Sequence, residues 1–308
     1  MQKTLKLNNG KDIPVIGLGT WKAGVSEVGE AIKFAVNTAD YRHIDCASIY
    51  GNEKEIGVAF KDIIGKPVKR EDLFITSKLW NTDHDPHDVE KACRKTLADL
   101  QLEYLDLYLI HWGIAFKSGG NSEPLNPTNG RIITENISIQ QTWEAMESLV
   151  KKGLVKSIGV ANFTTMMLVD LLTYANIKPA VNQIELHPFN TQQKLVDFCQ
   201  HQNIAVTAYS PLGRPGVIGK NGPSLLSEKI IINLSKKYKK TPAQILLDWA
   251  IERGTVVIPK SVSREKIVEN IDIFDFALAK DEIEEINSLN KNYRFVDPIT
   301  WWAIPYFS

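Results

Sequence analysis

Eight short apolar runs, each leading into a segment with apolar residues at helical spacing, leave this chain few folds to choose from. The first run begins at Ile16 and precedes helical spacing over 26–36, where Val28, Ala31, Ile32 and Ala35 share a face. The pattern repeats with strands over 42–45, 73–79, 105–111, 155–161, 180–185, 205–209 and 255–258. Helices are expected over 52–63, 85–100, 139–152, 165–175, 191–201, 225–238, 242–253, 264–270 and 281–289. Eight strand–helix units in 308 residues match a closed parallel (β/α)8 TIM barrel of the α/β class. A doubly wound sheet is the runner-up, but the first strand runs into no G-x-G-x-x-G fingerprint. No linker divides the chain, so residues 1–308 read as one domain. Ahead of the barrel, 4–7 and 13–16 flank Asn9-Gly10, a pair suited to mirror-image hairpin turns. Residues 1–16 are expected to close the barrel bottom.

Charge is balanced, with 36 Lys plus Arg against 36 Asp plus Glu. Neither nucleic acid nor a membrane is expected as a partner. No apolar run reaches the ~18 residues of a membrane span, and the N-terminus lacks a signal-peptide core. Cys46, Cys93 and Cys199 are odd in number and far apart. That fits free buried thiols in a reducing, cytoplasmic setting better than a disulfide framework.

Barrel active sites lie at the C-terminal ends of the strands. Those ends carry Trp21, Asp45, Lys78, His111, Asn162, Glu185, Tyr209 and Lys260. Lys78 sits among apolar neighbours and needs a counter-charge, for which Asp45 on the adjacent strand is the natural candidate. Tyr50 follows Asp45 by five residues, before a helix that Asn52 is placed to cap. A phenol is a poor acid at neutral pH, and a nearby ammonium favours its ionised form. Tyr50 could then donate a proton to a developing alkoxide while His111 orients the carbonyl oxygen. This set suits carbonyl reduction and needs a hydride source. Tyr209 could stack on a flat ring, and Asn162, Gln183 and Ser210 could bond a carboxamide. Lys260 and Ser261, beside a helix start with Arg264 and Lys266, make a phosphate site with charge enough for an additional monophosphate.

The motifs GLGTW (17–21), HIDCASIYGNEKEIG (43–57), ITSKLW (75–80), LDLYLIHW (105–112), KSIGVANF (156–163), VNQIELHPF (181–189), AYSPLG (208–213) and IPKSVSREKIVEN (258–270) span nearly the whole chain. In these the sequence resembles the aldo-keto reductase family, in its aldose/aldehyde reductase and xylose reductase branch. The resemblance implies a catalytic tetrad of Asp45, Tyr50, Lys78 and His111, with Tyr50 as general acid. It implies NADPH as cofactor, with NADH as a weaker or alternative donor. Contacts to it would come from Gly19, Thr20, Asn162, Gln183, Tyr209, Ser210 and Leu212, from Lys260, Ser261, Val262 and Lys266, and from Glu269 and Asn270. Trp21, Ile49, Trp80, Trp112 and Trp301 would line the pocket for a small carbonyl substrate, bordered by a C-terminal loop over 290–308. Four positions depart from the family pattern. Lys266 stands where an arginine is usual and loses the planar fork. Arg214 and Gly216 replace a serine and an aspartate in a loop that straps the diphosphate, so Gly216 cannot form the usual acidic latch. Ala161 replaces a serine near the carboxamide.

Glu185 and His187 hint at a metal, but Pro188 follows and no third ligand is evident, so none is expected. His84 and His87 read as solvated. The polar segment 113–136 is expected to form a second wall of the cleft. The aromatic tail of Trp301, Trp302, Tyr306 and Phe307 is expected to shape specificity. A monomer is the default, a homodimer the alternative. The competing functions are a non-catalytic nicotinamide-binding regulatory subunit and a zinc hydrolase on the same barrel.

Overall fold

A computed structural model describes residues 3–66, 68–215 and 223–307. Strands β1 (Thr4–Lys6) and β2 (Asp12–Pro14) form an antiparallel pair. Eight parallel strands follow: β3 (Leu18–Gly19), β4 (His43–Asp45), β5 (Phe74–Leu79), β6 (Leu107–Ile110), β7 (Ile158–Ala161), β8 (Val181–Glu185), β9 (Ala205–Tyr209) and β10 (Val256–Val257). They pair in sequence order. The sheet closes through the backbone: Gly17 N–H donates to the Val257 carbonyl (2.8 Å), Gly19 N–H to Pro259 (3.1 Å) and Val257 N–H to Val15 (2.8 Å). The fold is therefore the expected (β/α)8 barrel, and closure removes the sheet edges.

The hairpin forms without a two-residue mirror-image turn. Pairing runs from Thr4–Pro14 to Lys6–Asp12, so residues 7–11 make the loop, and of these Gly10 alone has positive φ (80°). Asn9 instead bonds the Ser157 hydroxyl (2.8 Å) and Asn8 the Pro179 carbonyl (2.9 Å). Both acceptors precede barrel strands, which lays the hairpin across the N-terminal mouth. Leu7 and Ile13 pack there on Phe74, Leu107 and Val181.

The helices are α1 (Val25–Asn37), α2 (Glu53–Ile63), α3 (Pro86–Leu100), α4 (Ile139–Lys151), α5 (Thr165–Tyr174), α6 (Gln193–His201), α7 (Lys229–Tyr238), α8 (Pro242–Glu252), α9 (Arg264–Ile271), α10 (Lys280–Asn287) and α11 (Ile299–Trp302). Asp85, Ser138, Thr164, Thr241 and Ser263 each accept a first-turn amide, the ordinary work of such residues at an N-cap. Asn52 occupies the N-cap position of α2 but makes no such bond. Its Nδ2 donates to the carbonyls of Thr20 (3.0 Å) and Ala23 (3.2 Å), tying down the loop after β3. The helix expected over 225–238 is interrupted: a 3-10 turn, Leu225–Ser227, is separated from α7 by extended Glu228. His84 is not solvated. It ends a 3-10 turn, Asn81–Asp83, and is 1% exposed, with its carbonyl accepting from Thr142 Oγ1 (2.8 Å). Burial pushes its imidazole down to about 3, so the ring is neutral. His87 is exposed on the first turn of α3.

Period-two alternation decides which side chains enter the barrel. On β6, Leu107 and Leu109 join the interior cluster, while Tyr108 and Ile110 pack towards the helices. On β4, Ile44 joins the helix-side cluster, which leaves His43 and Asp45 on the inner face. His43 Nε2 lies 3.2 Å from Thr76 Oγ1 inside the barrel. Gly17 leaves room for that ring, since a Cβ there would lie 2.6 Å from it. An apolar floor thus gives way to polar side chains towards the C-terminal mouth.

Between barrel and helices, Glu53 is buried with hydroxyls for partners: Ser77 Oγ (2.5 Å) and Thr96 Oγ1 (3.1 Å) donate to it. Burial pushes its carboxyl from 4.5 up to about 7. The folded state therefore binds the extra proton, and the stability linked to Glu53 is full below the lower value and lost as pH rises to the upper one. We expect Glu53→Gln to remove a loss on the order of 2 kcal/mol between about pH 5 and about pH 8, read from urea unfolding. Equal losses in both proteins would exclude Glu53 as the source.

Candidate active site

β4 ends at Asp45, and the chain then makes a 3-10 turn, Ser48–Tyr50, that brings the phenol back over the strand end. Pairing of β4 with β5 sets Asp45 beside Thr76, so Lys78, one pleat further on, points to the same face. Lys78 is 0% exposed. Its Nζ donates to Asp45 Oδ1 (2.6 Å), the Cys46 carbonyl (2.8 Å) and the Tyr50 hydroxyl (3.3 Å). Three acceptors use all three protons of the ammonium. The second Asp45 oxygen accepts from Gln183 Nε2 (2.7 Å) across the barrel. Because the Tyr50 oxygen accepts from Lys78, its own O–H proton is free for the cavity that Tyr50 lines.

The expected net lowering of the Tyr50 phenol is not what the site produces. Burial pushes it up to about 12, and Lys78 acts in the opposite direction without overcoming it. Lys78 itself is drawn down by burial but more strongly up by Asp45 and Tyr50, reaching about 12. His111 is held well below its ordinary value by burial and by Lys78, so it is neutral. Its ring meets Trp80 (5.2 Å) and Tyr50 (5.9 Å) edge-on.

A cavity of about 1100 Å³ opens above these groups. Asp45, Tyr50 and His111 lie on its wall, as do Gly19, Thr20, Trp21, Ile49, Trp80, Trp112, Asn162, Gln183, Tyr209, Ser210, Leu212, Lys260, Ser261, Val262 and Trp301. Asn162 is fixed at both ends: its Nδ2 donates to the His111 carbonyl (2.9 Å), and Tyr209 OH donates to its Oδ1 (2.7 Å). Lys266, Glu269 and Asn270 lie on α9 outside this cavity. Glu269 there accepts from Thr241 Oγ1 (2.7 Å). Gly216 falls outside the described residues, and the absent latch with it.

Of the wall residues, Lys22 and Arg294 escaped the reading of the sequence, whereas Trp302 was expected within the aromatic tail. Trp302 is 2% exposed and packs on Phe116 (4.8 Å), Trp112 (5.1 Å) and Trp80 (6.2 Å), whereas Trp301 is 46% exposed at the rim. Lys22, Arg214, Arg294 and Glu123 also line the cavity. The 113–136 segment supplies a wall: Trp80 Nε1 donates to the Ser122 carbonyl (2.7 Å) and Trp302 Nε1 to Glu123 Oε1 (2.9 Å). Glu185 and His187 pair at 2.8 Å. The Glu185 carboxylate also accepts the Phe295 amide (2.6 Å) and the Val296 amide (3.0 Å), a role in holding the C-terminal segment. Among the described residues no group of three His, Cys, Asp or Glu could hold a metal ion. No helix among them is long and apolar enough to cross a membrane.

The chain matches the aldo/keto reductase family over residues 15–291. It is 52% identical to aldo-keto reductase family 1 member A1 of Gallus gallus over 297 residues, covering 95% of this chain and 90% of the other. Identity to the Homo sapiens protein of that name is 49%, over 95% and 91% of the two chains. An aldose reductase structure from Schistosoma japonicum matches with a TM-score of 0.92 at 44% identity, covering 99% of this chain and 98% of that one. Barrel, cleft and relatives together define an oxidoreductase enzyme. The chain belongs to the aldo/keto reductase family.

Lys78→Met leaves Asp45 buried without its cation. We expect a loss of about 3–5 kcal/mol in urea unfolding, most of it recovered in the Asp45→Asn/Lys78→Met double variant. A double variant no more stable than the single one would mean that the unpaired charge is not the cause.

Proposed function

We propose that the protein reduces aldehydes, open-chain aldoses among them, and some ketones to alcohols, with NADPH as cofactor and Tyr50 as general acid. The observation that carries this is the Tyr50 hydroxyl, which accepts from a fully buried ammonium and faces an aromatic-walled cavity. Burial keeps the phenol protonated at neutral pH, and the Lys78 charge stabilises the phenolate left when the proton departs. Neutral His111 orients the substrate carbonyl beside Tyr50. Trp80, Trp112 and Trp302 exclude water from the reacting carbon.

The chain's residues fit a dinucleotide. From the tetrad the cavity continues to Lys260, Ser261, Val262 and Ser263 at the start of α9. Tyr209 offers a flat ring, and Gln183, with Nε2 committed to Asp45, keeps its carbonyl oxygen for a carboxamide. Lys260, Ser261 and Lys266 would hold the 2'-phosphate, with Glu269 and Asn270 at the adenine. The hydride comes from nicotinamide chemistry. Lys266 provides charge without the planar fork of arginine, so NADH serves as a weaker alternative. We take the monomer as the working unit, with a homodimer as the alternative.

Aldehyde-dependent NADPH oxidation tests the proposal. Tyr50→Phe is expected to reduce turnover by about 10²–10⁴-fold, with NADPH affinity from tryptophan fluorescence unchanged. Full turnover in the variant removes Tyr50 from this role. Cofactor binding with no turnover of any aldehyde by the wild type would favour the regulatory subunit.

A further inference from the structure

The C-terminal segment gives the cavity Val296, Asp297, Thr300, Trp301 and Trp302. Yet residues 290–298, which lead into α11, form neither helix nor strand. Their hold centres on Phe295. Its amide donates to Glu185 Oε1 (2.6 Å), and the next amide, from Val296, to Oε2 (3.0 Å). Its carbonyl accepts from Arg214 Nη1 (2.8 Å), a residue of the loop after β9. The same guanidinium lies over the Trp21 ring, 4.5 Å from its centre. One side chain thus joins three loops: the one after β3, the one after β9 and the C-terminal segment. Arg214 and nearby Ser210 hold φ values of 55° and 51°, a left-handed conformation that persists in such residues when their surroundings enforce it. The bond to Phe295 and the stack on Trp21 provide that enforcement.

We propose that Arg214 is a positioning residue that sets the width of the substrate cleft, and so the size of carbonyl compound it accepts, by bracing Trp21 against the C-terminal wall. Without the brace, residues 294–297 keep the Glu185 carboxylate, the bond from Arg294 Nη2 to Gln192 Oε1 (2.9 Å) and the packing of Phe295 on His187, but they lose their tie to the loop after β9, and Trp21 keeps only Lys22 over its ring. A bulky substrate that touches both walls feels that loosening; a small one bound at Tyr50 and His111 does not.

The test compares full-length Arg214→Ala and Arg214→Lys with the wild type. In the alanine variant, hydrogen exchange at the Phe295 and Val296 amides is expected to quicken about tenfold, with the barrel strands unchanged. KM for a bulky aromatic aldehyde is expected to rise about fivefold, while KM for glyceraldehyde and both kcat values stay within about twofold. Lysine keeps a donor for the Phe295 carbonyl but loses the planar face over Trp21. It should therefore recover exchange protection more fully than KM. The substrate half of this inference rests on the carbonyl-reductase reading, whereas the exchange half does not. Lost protection in Arg214→Ala supports the brace even if the wild type reduces no aldehyde, in which case it is the reductase reading that fails. Unchanged exchange or unchanged size selectivity overturns the proposal. So does weaker NADPH binding with unchanged exchange, which would make Arg214 a phosphate contact instead.

Discussion

A lysine ammonium removed completely from water has to find every partner inside the protein, and Lys78 dictates much of what surrounds it. Its three acceptors come from the end of β4, the residue after it and the turn beyond. The second oxygen of its counter-ion draws on Gln183, 138 residues away on β8. The charge pair can therefore be satisfied only when β4, β5 and β8 stand around one closed mouth. Barrel closure and site assembly are the same requirement seen from two sides.

Dryness then assigns the chemistry. Trp80, one member of the aromatic cluster, and Tyr50 meet the ring of His111, which burial and Lys78 hold neutral, while burial holds Tyr50 protonated. Environment alone thus leaves one of two titratable groups protonated and the other neutral, which is the separation the proposed donor and orienter roles require. Lys78 does not make Tyr50 a strong acid at rest. In the proposed reduction its charge counts as the proton leaves, because the product would be an anion beside a fixed cation in a poorly screened site. The barrel provides the frame, and the C-terminal aromatic segment forms one wall of the cleft.

Much of this was legible in the sequence because it depends on local pattern. Alternating periods mark the barrel, and strand-end position marks Asp45, Lys78 and His111. What depends on distant packing was not legible. Trp301 and Trp302 are adjacent and identical in type, and only the phase of a four-residue helix puts the second in the cluster. His84 follows polar Asn81, Thr82 and Asp83, which look like a solvated loop, yet the turn folds beneath Thr142. Asn52 has the composition of a cap but, instead of accepting a first-turn amide, donates to two carbonyls in the loop after β3. The reach of Arg214 to Phe295 spans 81 residues and leaves no trace in local spacing. The sign of the Tyr50 shift likewise needed the depth of the cleft, since a lysine nearby reveals only the opposing influence.

Whether the proton comes from Tyr50, as proposed, or from His111 is decided by the pH dependence of wild-type single-turnover aldehyde reduction. A phenol held protonated by burial should give a rate that is level from about pH 5 to about pH 9 and falls only beyond. A rate that falls as pH rises through about 6–7 would identify an imidazolium as the donor and remove Tyr50 from that role.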